Sequence, residues 1–239
     1  MKNFEVKNFG GADELARAVA GDWLDLLTES DAPHLAALSG GRITKNFYAA
    51  VTNLSRSKNV SLRNVDFFWA DERCVPPSDP ESNYLLAKEN LFDELGIAPE
   101  KVHRLKGELP PVAAVAEANT TIERIAPRDG TGLPVLDVIF LGLGEDGHVA
   151  SLMPNLPPDR AAIKAPYLHV EKSPKPPPDR LSMSYAVIAA AKNVWMLASG
   201  TGKEEALRQS LRPGGYTPFG RVLQSRANTV IYSSINLGA

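Results

Sequence analysis

Four groups of polar residues follow short apolar runs in this sequence, and each run has the length of a buried strand. The groups are Ser39-Gly40-Gly41, Asp71-Glu72-Arg73, Asp146-Gly147-His148 and Gly200-Thr201-Gly202-Lys203. If the runs form one parallel sheet, their carboxyl ends meet at one edge, where open α/β sheets bind ligands. An imidazole beside carboxylates suits acid–base catalysis, and glycine turns with a lysine suit a phosphate group.

His148 is a candidate site residue, and the residues before it allow another interpretation of this segment. Residues 142–147 spell G-x-G-x-x-G after a strand, a pattern found in dinucleotide-binding proteins. However, Glu145 and Asp146 stand where a pyrophosphate needs free amides, and three prolines by Pro158 interrupt the following helix. We expect His148 to open a short helix with its ring facing the crevice. The alternative is that it only caps that helix.

Two glycine turns are candidates for binding a phosphate group. Ser39-Gly40-Gly41 lies between a strand and a helix, where the free amides of a helix start face the turn. A simple tight turn explains this segment equally well. Lys203 opens a helix after a glycine turn, but a nucleotide P-loop would need glycine at Leu197 and a hydroxyl at Glu204. The Lys203 turn therefore suits a phosphate monoester better than a nucleotide.

The composition and the missing motifs exclude several classes of protein. The chain has 239 residues, a net charge of −2 and no basic stripe, so a nucleic-acid partner is not expected. Cys74 is the only cysteine and His148 has no second histidine at ligand spacing, so neither a disulfide nor a metal site is expected. No G-x-S-x-G nucleophile elbow occurs in the sequence, so a serine hydrolase is not expected. Without a signal peptide or an apolar run of about 18 residues, we expect a cytoplasmic monomer or weak dimer that does not contact membranes.

The elements that must position the polar groups form one predicted α/β domain over residues 1–239. Predicted strands cover residues 4–6, 34–38, 65–70, 136–141, 167–170, 180–184, 194–198 and 229–232. Predicted helices cover residues 13–27, 43–54, 81–95, 112–125, 186–191 and 203–211. Asp79 is the predicted N-cap of the third helix, with Pro80 at its first position. Residues 71–79 and 213–220 are predicted loops.

The sequence closely resembles the 6-phosphogluconolactonases. The resemblance rests on Leu38-Ser39-Gly40-Gly41, Phe67 to Arg73 with Ser82-Asn83-Tyr84, Gly142 to Leu152, Arg180-Leu181-Ser182-Met183 and Gly202-Lys203-Glu204. It implies a Rossmann-like three-layer α/β fold with a mostly parallel central sheet, shared with glucosamine-6-phosphate deaminases and ribose-5-phosphate isomerases. It also implies hydrolysis of 6-phospho-D-glucono-1,5-lactone in the oxidative pentose phosphate pathway, without a metal or nucleotide cofactor.

Lactone hydrolysis needs a base for water, a donor for the carbonyl oxyanion and an acid for the ring oxygen. An imidazole, with an ordinary pKa of about 6.5, can be the base near neutral pH, so we assign that role to His148. Arg73, aided by backbone amides such as that of Gly144, is the candidate for stabilising the negative charge. Asp71 or Asp146 orients His148 or binds sugar hydroxyls, and both assignments remain open.

Lys203, Arg180 and the turn Ser39-Gly40-Gly41 are the candidates for binding the 6-phosphate. The family usually has Ser or Thr after this turn, followed by Thr-Pro, whereas this chain has Arg42-Ile43-Thr44. We therefore expect Arg42 or Thr44 to contact the phosphate in a different way.

Two other functions compete with the lactonase. Glucosamine-6-phosphate deaminases share the Asp-Gly-His element, but they carry an acid five residues after the histidine, where this chain has Met153. They also tend to have tyrosine at the position of Arg73. The second competitor is a sugar-phosphate sensor without catalysis, which the intact His148 and Arg73 argue against.

Overall fold

All six strands of the central sheet run parallel. The computed structural model describes residues 4–237, and the strand order in this sheet is β1-β9-β8-β5-β2-β3. A second, antiparallel sheet has the order β4-β7-β6. The strands are β1 (Phe4–Asn8), β2 (His34–Leu38), β3 (Val65–Trp69), β4 (Asp71–Arg73), β5 (Val138–Gly142), β6 (Tyr167–Val170), β7 (Arg180–Met183), β8 (Asn193–Ala198) and β9 (Thr229–Ser233). The predicted α/β fold with a mostly parallel central sheet is confirmed.

Helices flank the central sheet. They are α1 (Ala12–Thr28), α2 (Arg42–Lys58), α3 (Asn83–Ala87), α4 (Asp93–Leu95), α5 (Pro111–Ile125), α6 (Pro158–Ala161), α7 (Tyr185–Ala190), α8 (Glu204–Leu211) and α9 (Pro218–Ser225). A π-helical turn (Lys88–Phe92) joins α3 to α4, and α1 packs against α2. None of the helices within residues 4–237 is long and apolar enough to cross a bilayer.

Buried aromatic rings pack α1 and α2 onto the sheet. The ring centroid of Phe140 in β5 lies 5.1 Å from that of Trp23 and 4.7 Å from that of Phe47. Trp23 also meets Phe67 of β3 edge-on. These rings are almost completely buried, so the inner strands are fixed by large apolar contacts on this face. A well-packed sheet holds the loops at its carboxyl edge in defined positions.

The chain changes direction between β2 and β5. The connection after β2 leads to β3 on one side, whereas β5, β8 and β9 lie on the other side of β2. Such a switch point leaves a crevice at the carboxyl ends of the two adjacent strands. A Cβ on Gly142 would lie only 3.8 Å from the Gly40 carbonyl oxygen, which shows how closely these strand ends approach.

The predicted loop over residues 71–79 begins with a strand. Asp71, Glu72 and Arg73 form β4, and each pairs with a residue of β7 in antiparallel register. Three consecutive charged residues give no local strand signal. The pairing arises because β7, more than 100 residues later in the sequence, supplies the hydrogen-bonding partners.

The start of the third predicted helix was also wrong. The helix begins at Asn83 rather than near Pro80, and its N-cap is Ser82, whose hydroxyl accepts a hydrogen bond from Leu85 N at 3.2 Å. The buried carboxylate of Glu72 sets this start because it accepts from the amides of Asn83 and Tyr84 at 2.8 Å each. Sequence spacing alone could not reveal that distant acceptor.

The end of the loop predicted over residues 213–220 forms the first turn of α9. Pro218 is the first residue of this helix, and Thr217 is its N-cap, accepting from Gly220 N at 2.9 Å. Threonine followed by proline is a helix-start signal, which the neighbouring glycines obscured.

His34 gives the fold a predicted pH dependence. Its Nε2 accepts from the buried Trp23 indole at 3.3 Å, which requires an unprotonated nitrogen. Burial lowers the pKa of His34, the nearby Asp137 carboxylate partly opposes this shift, and Lys192 adds to it. Because the unfolded chain takes up the proton at higher pH, the free energy of unfolding should decrease as pH falls below about 6.5.

Urea unfolding at a series of pH values measures this effect. His34→Gln keeps an acceptor for Trp23 without a titrating group, so its unfolding free energy should fall less on acidification than that of the unchanged chain. Equal acid sensitivity of the two proteins would contradict the assignment.

Candidate active site

A cavity of about 450 Å³ lies at the carboxyl edge of the central sheet. Residues from all four polar groups line it: Ser39, Gly40, Gly41, Asp71, Arg73, His148, Gly200 and Lys203. Arg42, Gly144 and Arg180 also belong to the lining. The convergence expected of a parallel sheet, with the four polar groups at one edge, is therefore present in the structure.

His148 is held by Asp146. The ring Nδ1 lies 2.5 Å from Asp146 Oδ1, and the same oxygen accepts from the His148 amide at 3.1 Å. The hydrogen bond from His148 lowers the pKa of Asp146 to about 2. Asp146 is therefore ionised over the ordinary pH range and favours the tautomer with the proton on Nδ1, in which Nε2 carries the lone pair.

The loop around His148 is not a helix, so the predicted short helix was wrong. Gly144 N donates to His148 O at 2.9 Å, and Gly147 N donates back to Gly144 O at 3.1 Å. Ala150, two residues after His148, has φ +49°, which a right-handed helix does not allow. A Cβ on Gly144 would lie 2.0 Å from His148 Nδ1, so only glycine leaves room for the imidazole in this position.

Asp71 belongs to a different hydrogen-bond network. Its Oδ2 accepts from Ser151 Oγ at 2.8 Å, and its backbone oxygen accepts from Asn83 Nδ2 at 2.9 Å. No hydrogen bond joins Asp71 to His148 among those found for residues 4–237. Of the two candidate carboxylates, Asp146 is thus the one in contact with the imidazole, while Asp71 lines the cavity as a separate acceptor.

Arg73 reaches the cavity from β4, and its neighbours hold it on two sides. Its Nη1 donates to the Glu81 carbonyl at 2.5 Å, and its amide donates to Glu72 Oε1 at 2.7 Å. Nε of Arg73 is buried without a hydrogen-bond partner in the described part of the chain. The hydrogen bond to Glu81 holds one end of the guanidinium, and Arg73 lines the cavity.

Arg42 and Lys203 both lie close to Gly200. A Cβ on Gly200 would be 3.8 Å from Arg42 Nη2 and 4.0 Å from Lys203 Nζ. Burial lowers the pKa of Lys203, Arg42 and Lys175 lower it further, and Glu145 raises it. We call Arg42, Lys175 and Lys203 the cationic group. Bringing three cations together is unfavourable unless an anion binds between them.

Two predicted site residues are not in the cavity lining as the structure describes it. Thr44 is buried, and its hydroxyl donates to Gly40 O at 2.8 Å, so it supports the turn from behind. Asp146 lies behind His148. Arg180 does line the cavity, but its Nε and Nη2 donate to carbonyls of residues 175–177.

Sequence reasoning gave no role to several residues that build the site. Lys175 lines the cavity from a proline-rich connection whose composition indicated no chemistry. Asn83 and Ser151 hold Asp71, and both are buried. Their signal was their place within the motifs that resemble the lactonases, since neither residue type indicates chemistry by itself. Among residues 4–237, no group of three or more His, Cys, Asp or Glu side chains could hold a metal ion.

Known proteins match nearly the whole chain. The family described as "Glucosamine-6-phosphate isomerases/6-phosphogluconolactonase" matches residues 10–231. The 6-phosphogluconolactonase of Streptomyces coelicolor is 33% identical over 210 residues, covering 84% of this chain and 80% of that protein. The 6-phosphogluconolactonase of Haemophilus influenzae is 32% identical over 176 residues, covering 72% of this chain and 71% of the relative.

Solved structures agree with this relationship. The 6-phosphogluconolactonase of Trypanosoma brucei superimposes with a TM-score of 0.83 at 26% identity, covering 98% of this chain and 97% of that one. A monomeric glucosamine-6-phosphate deaminase gives a TM-score of 0.81 at 18% identity, with 96% of each chain covered, and shares the fold. The chain therefore belongs to the family of glucosamine-6-phosphate isomerases and 6-phosphogluconolactonases.

Proposed function

We propose that this protein hydrolyses 6-phospho-D-glucono-1,5-lactone to 6-phospho-D-gluconate, with His148 as the general base. The observation that carries the proposal is the His148–Asp146 pair in a cavity that also holds Arg42 and Lys203. A base and a group of cations in one cavity suit a neutral ester that carries a phosphate. The names of the relatives from Streptomyces and Haemophilus support the same substrate.

In the proposed reaction, His148 Nε2 accepts a proton from water as the water oxygen attacks the lactone carbonyl carbon. Asp146 keeps the other ring proton on Nδ1 and stabilises the imidazolium that forms. Arg73 donates to the carbonyl oxygen as it becomes negative. The ring C–O bond then breaks, and the imidazolium returns its proton to the leaving ring oxygen. The products are a hydroxyl group and a carboxylic acid, which loses its proton to solvent.

The other polar residues of the cavity suit substrate binding. Asp71 is buried and already accepts from Ser151, so its remaining lone pairs can accept from sugar hydroxyls. Lys203, Arg42 and the turn at Gly40 and Gly41 are the proposed phosphate contacts. Gly41 has φ +106° and precedes α2, so the free amides at the start of that helix add to the attraction for an anion.

Replacing the base should stop catalysis while leaving binding intact. His148→Asn is expected to lower kcat by about 10²–10⁴ in a pH-stat assay with freshly prepared lactone, corrected for spontaneous hydrolysis. Phosphogluconate should still bind, because the phosphate contacts remain.

His103→Asn is the matched control, because His103 also pairs with a carboxylate, Asp66 at 2.8 Å, outside this cavity. It should leave kcat close to that of the unchanged enzyme. A destabilised but fully active His148→Asn protein would rule out the proposed base. If the unchanged protein does not accelerate hydrolysis of the lactone, a sugar-phosphate sensor without catalysis is favoured instead.

Lys203→Met tests the phosphate contact. A charge-assisted hydrogen bond is worth about 1.5–3 kcal/mol, so kcat/KM for the phosphorylated lactone should fall roughly ten- to hundredfold. The value of kcat/KM for unphosphorylated gluconolactone should fall far less. Lys192→Met is the control, since Lys192 pairs with Asp137 just before β8, at the opposite edge of the sheet. Equal losses on both lactones for Lys203→Met would remove Lys203 from this role.

Glucosamine 6-phosphate should release no ammonia above background. Met153 occupies the position of the acid that deaminases use in ring opening, and it is buried at 3% exposure. A thioether cannot transfer a proton. An ammonia assay with enzyme that hydrolyses the lactone makes the comparison. Steady ammonia release without lactone hydrolysis would overturn the assignment.

A further inference from the structure

The segment from Ser173 to Pro178 borders the active-site cavity, and we call it the proline loop. Four of its six residues are prolines: 174, 176, 177 and 178. Ser173 N donates to Pro178 O at 2.9 Å and closes the loop at its base. Prolines have no N–H group, so the loop contains more carbonyl acceptors than donors. Its carbonyls must find donors elsewhere.

Arg180 supplies those donors. Its Nε donates to Pro177 O, and its Nη2 donates to the carbonyls of Lys175 and Pro176, each at 3.2 Å. Arginine has five N–H donors in a rigid planar fork and no acceptor, so it suits a cluster of carbonyl oxygens. Arg180 is only 5% exposed, and its backbone pairs with Arg73 between β7 and β4. The guanidinium is therefore a fixed anchor for the loop.

Lys175 is the one residue of the loop with a charged side chain. It is exposed, yet it lines the cavity together with Lys203 and Arg42. Since its carbonyl is one of those bound by Arg180, the position of its backbone depends on the anchor. The cationic group is thus assembled from α2, the start of α8 and the proline loop.

We propose that Lys175 selects phosphorylated over unphosphorylated lactones, and that Arg180 is a positioning residue that holds the proline loop so that Lys175 reaches the phosphate. This inference rests on the proposed lactonase function. It changes the role predicted for Arg180 from the sequence: the guanidinium acts on the phosphate through Lys175 rather than by direct contact. The selectivity of the enzyme then depends on the proline loop, whose conformation is stabilised by the buried Arg180 side chain.

The test compares Lys175→Met, Arg180→Lys and the double variant. Each is assayed on 6-phosphogluconolactone and on gluconolactone, and 6-phosphogluconate is titrated as an inhibitor. Lysine at position 180 keeps the positive charge but cannot donate to three carbonyls. Each single variant should lower the selectivity for the phosphorylated lactone by about tenfold, mainly through KM, and should weaken inhibition by a similar factor. The double variant should be no less selective for the phosphorylated lactone than the less selective of the two single variants, because both changes remove the same contact.

Two controls complete the design. Lys175→Arg should restore most of the selectivity, since it returns a cation to the same loop. Lys172→Met removes an exposed lysine just outside the loop that does not line the cavity, and it should leave the selectivity unchanged. Thermal melts of every variant show whether the protein is folded.

Three results would overturn the inference. Unchanged selectivity in Lys175→Met would remove Lys175 from phosphate recognition. Losses that multiply in the double variant would show that Arg180 contacts the phosphate itself. Near-normal selectivity in Arg180→Lys would show that the contacts of Arg180 with the three carbonyls do not position Lys175. All of these outcomes require an unchanged enzyme that hydrolyses the phosphorylated lactone, so they are distinguishable from failure of the proposed function.

Discussion

Buried Asp71 joins three parts of the chain that are far apart in sequence. This residue lies in β4, and its carboxylate accepts a hydrogen bond from Ser151 in the loop after β5. Its backbone oxygen accepts a hydrogen bond from Asn83 at the start of α3. An ionised carboxylate is costly to bury unless hydrogen bonds compensate, so each of these partners must stay in place. The same contacts tie the strand that carries Arg73 to the loop that carries His148, and both residues line the cavity.

The geometry of the cavity also requires that side chains pack closely against the backbone at two glycines. A Cβ on Gly40 would lie 1.9 Å from Asn83 Oδ1, and a Cβ on Gly144 would lie 2.0 Å from His148 Nδ1. The two glycines therefore serve to admit neighbouring side chains rather than to provide flexibility. Asn83 links both requirements, because the amide that packs against Gly40 also binds Asp71.

The charges of the cavity are arranged for a ligand with distinct parts. Asp71 and His148 line one part of the cavity with a carboxylate and an imidazole, while the cationic group provides positive charge without a matching number of acids. In a partly buried site such charges interact more strongly than in water. A phosphorylated sugar lactone satisfies both parts, since its hydroxyls and carbonyl meet the polar residues and its phosphate meets the cations. Membership of the sugar-phosphate family agrees with this division.

The sequence by itself determined the buried strands of the central sheet, and the family resemblance implied that this sheet is mostly parallel, which brings four polar groups to one edge. Apolar runs, glycine turns and the motif around His148 are local signals, and a local signal survives without knowledge of the partner. Only the tertiary structure decided that β4 is a strand, that α3 begins at Asn83, that Asp146 rather than Asp71 contacts His148, and that Arg180 binds the proline loop. Each of these features depends on the geometry of hydrogen-bond partners, and Ser151 and Asp71, for example, are 80 residues apart. Nothing in the residues near Asp71 indicates which distant hydroxyl will reach it, because that choice is made when the sheet and its loops pack together.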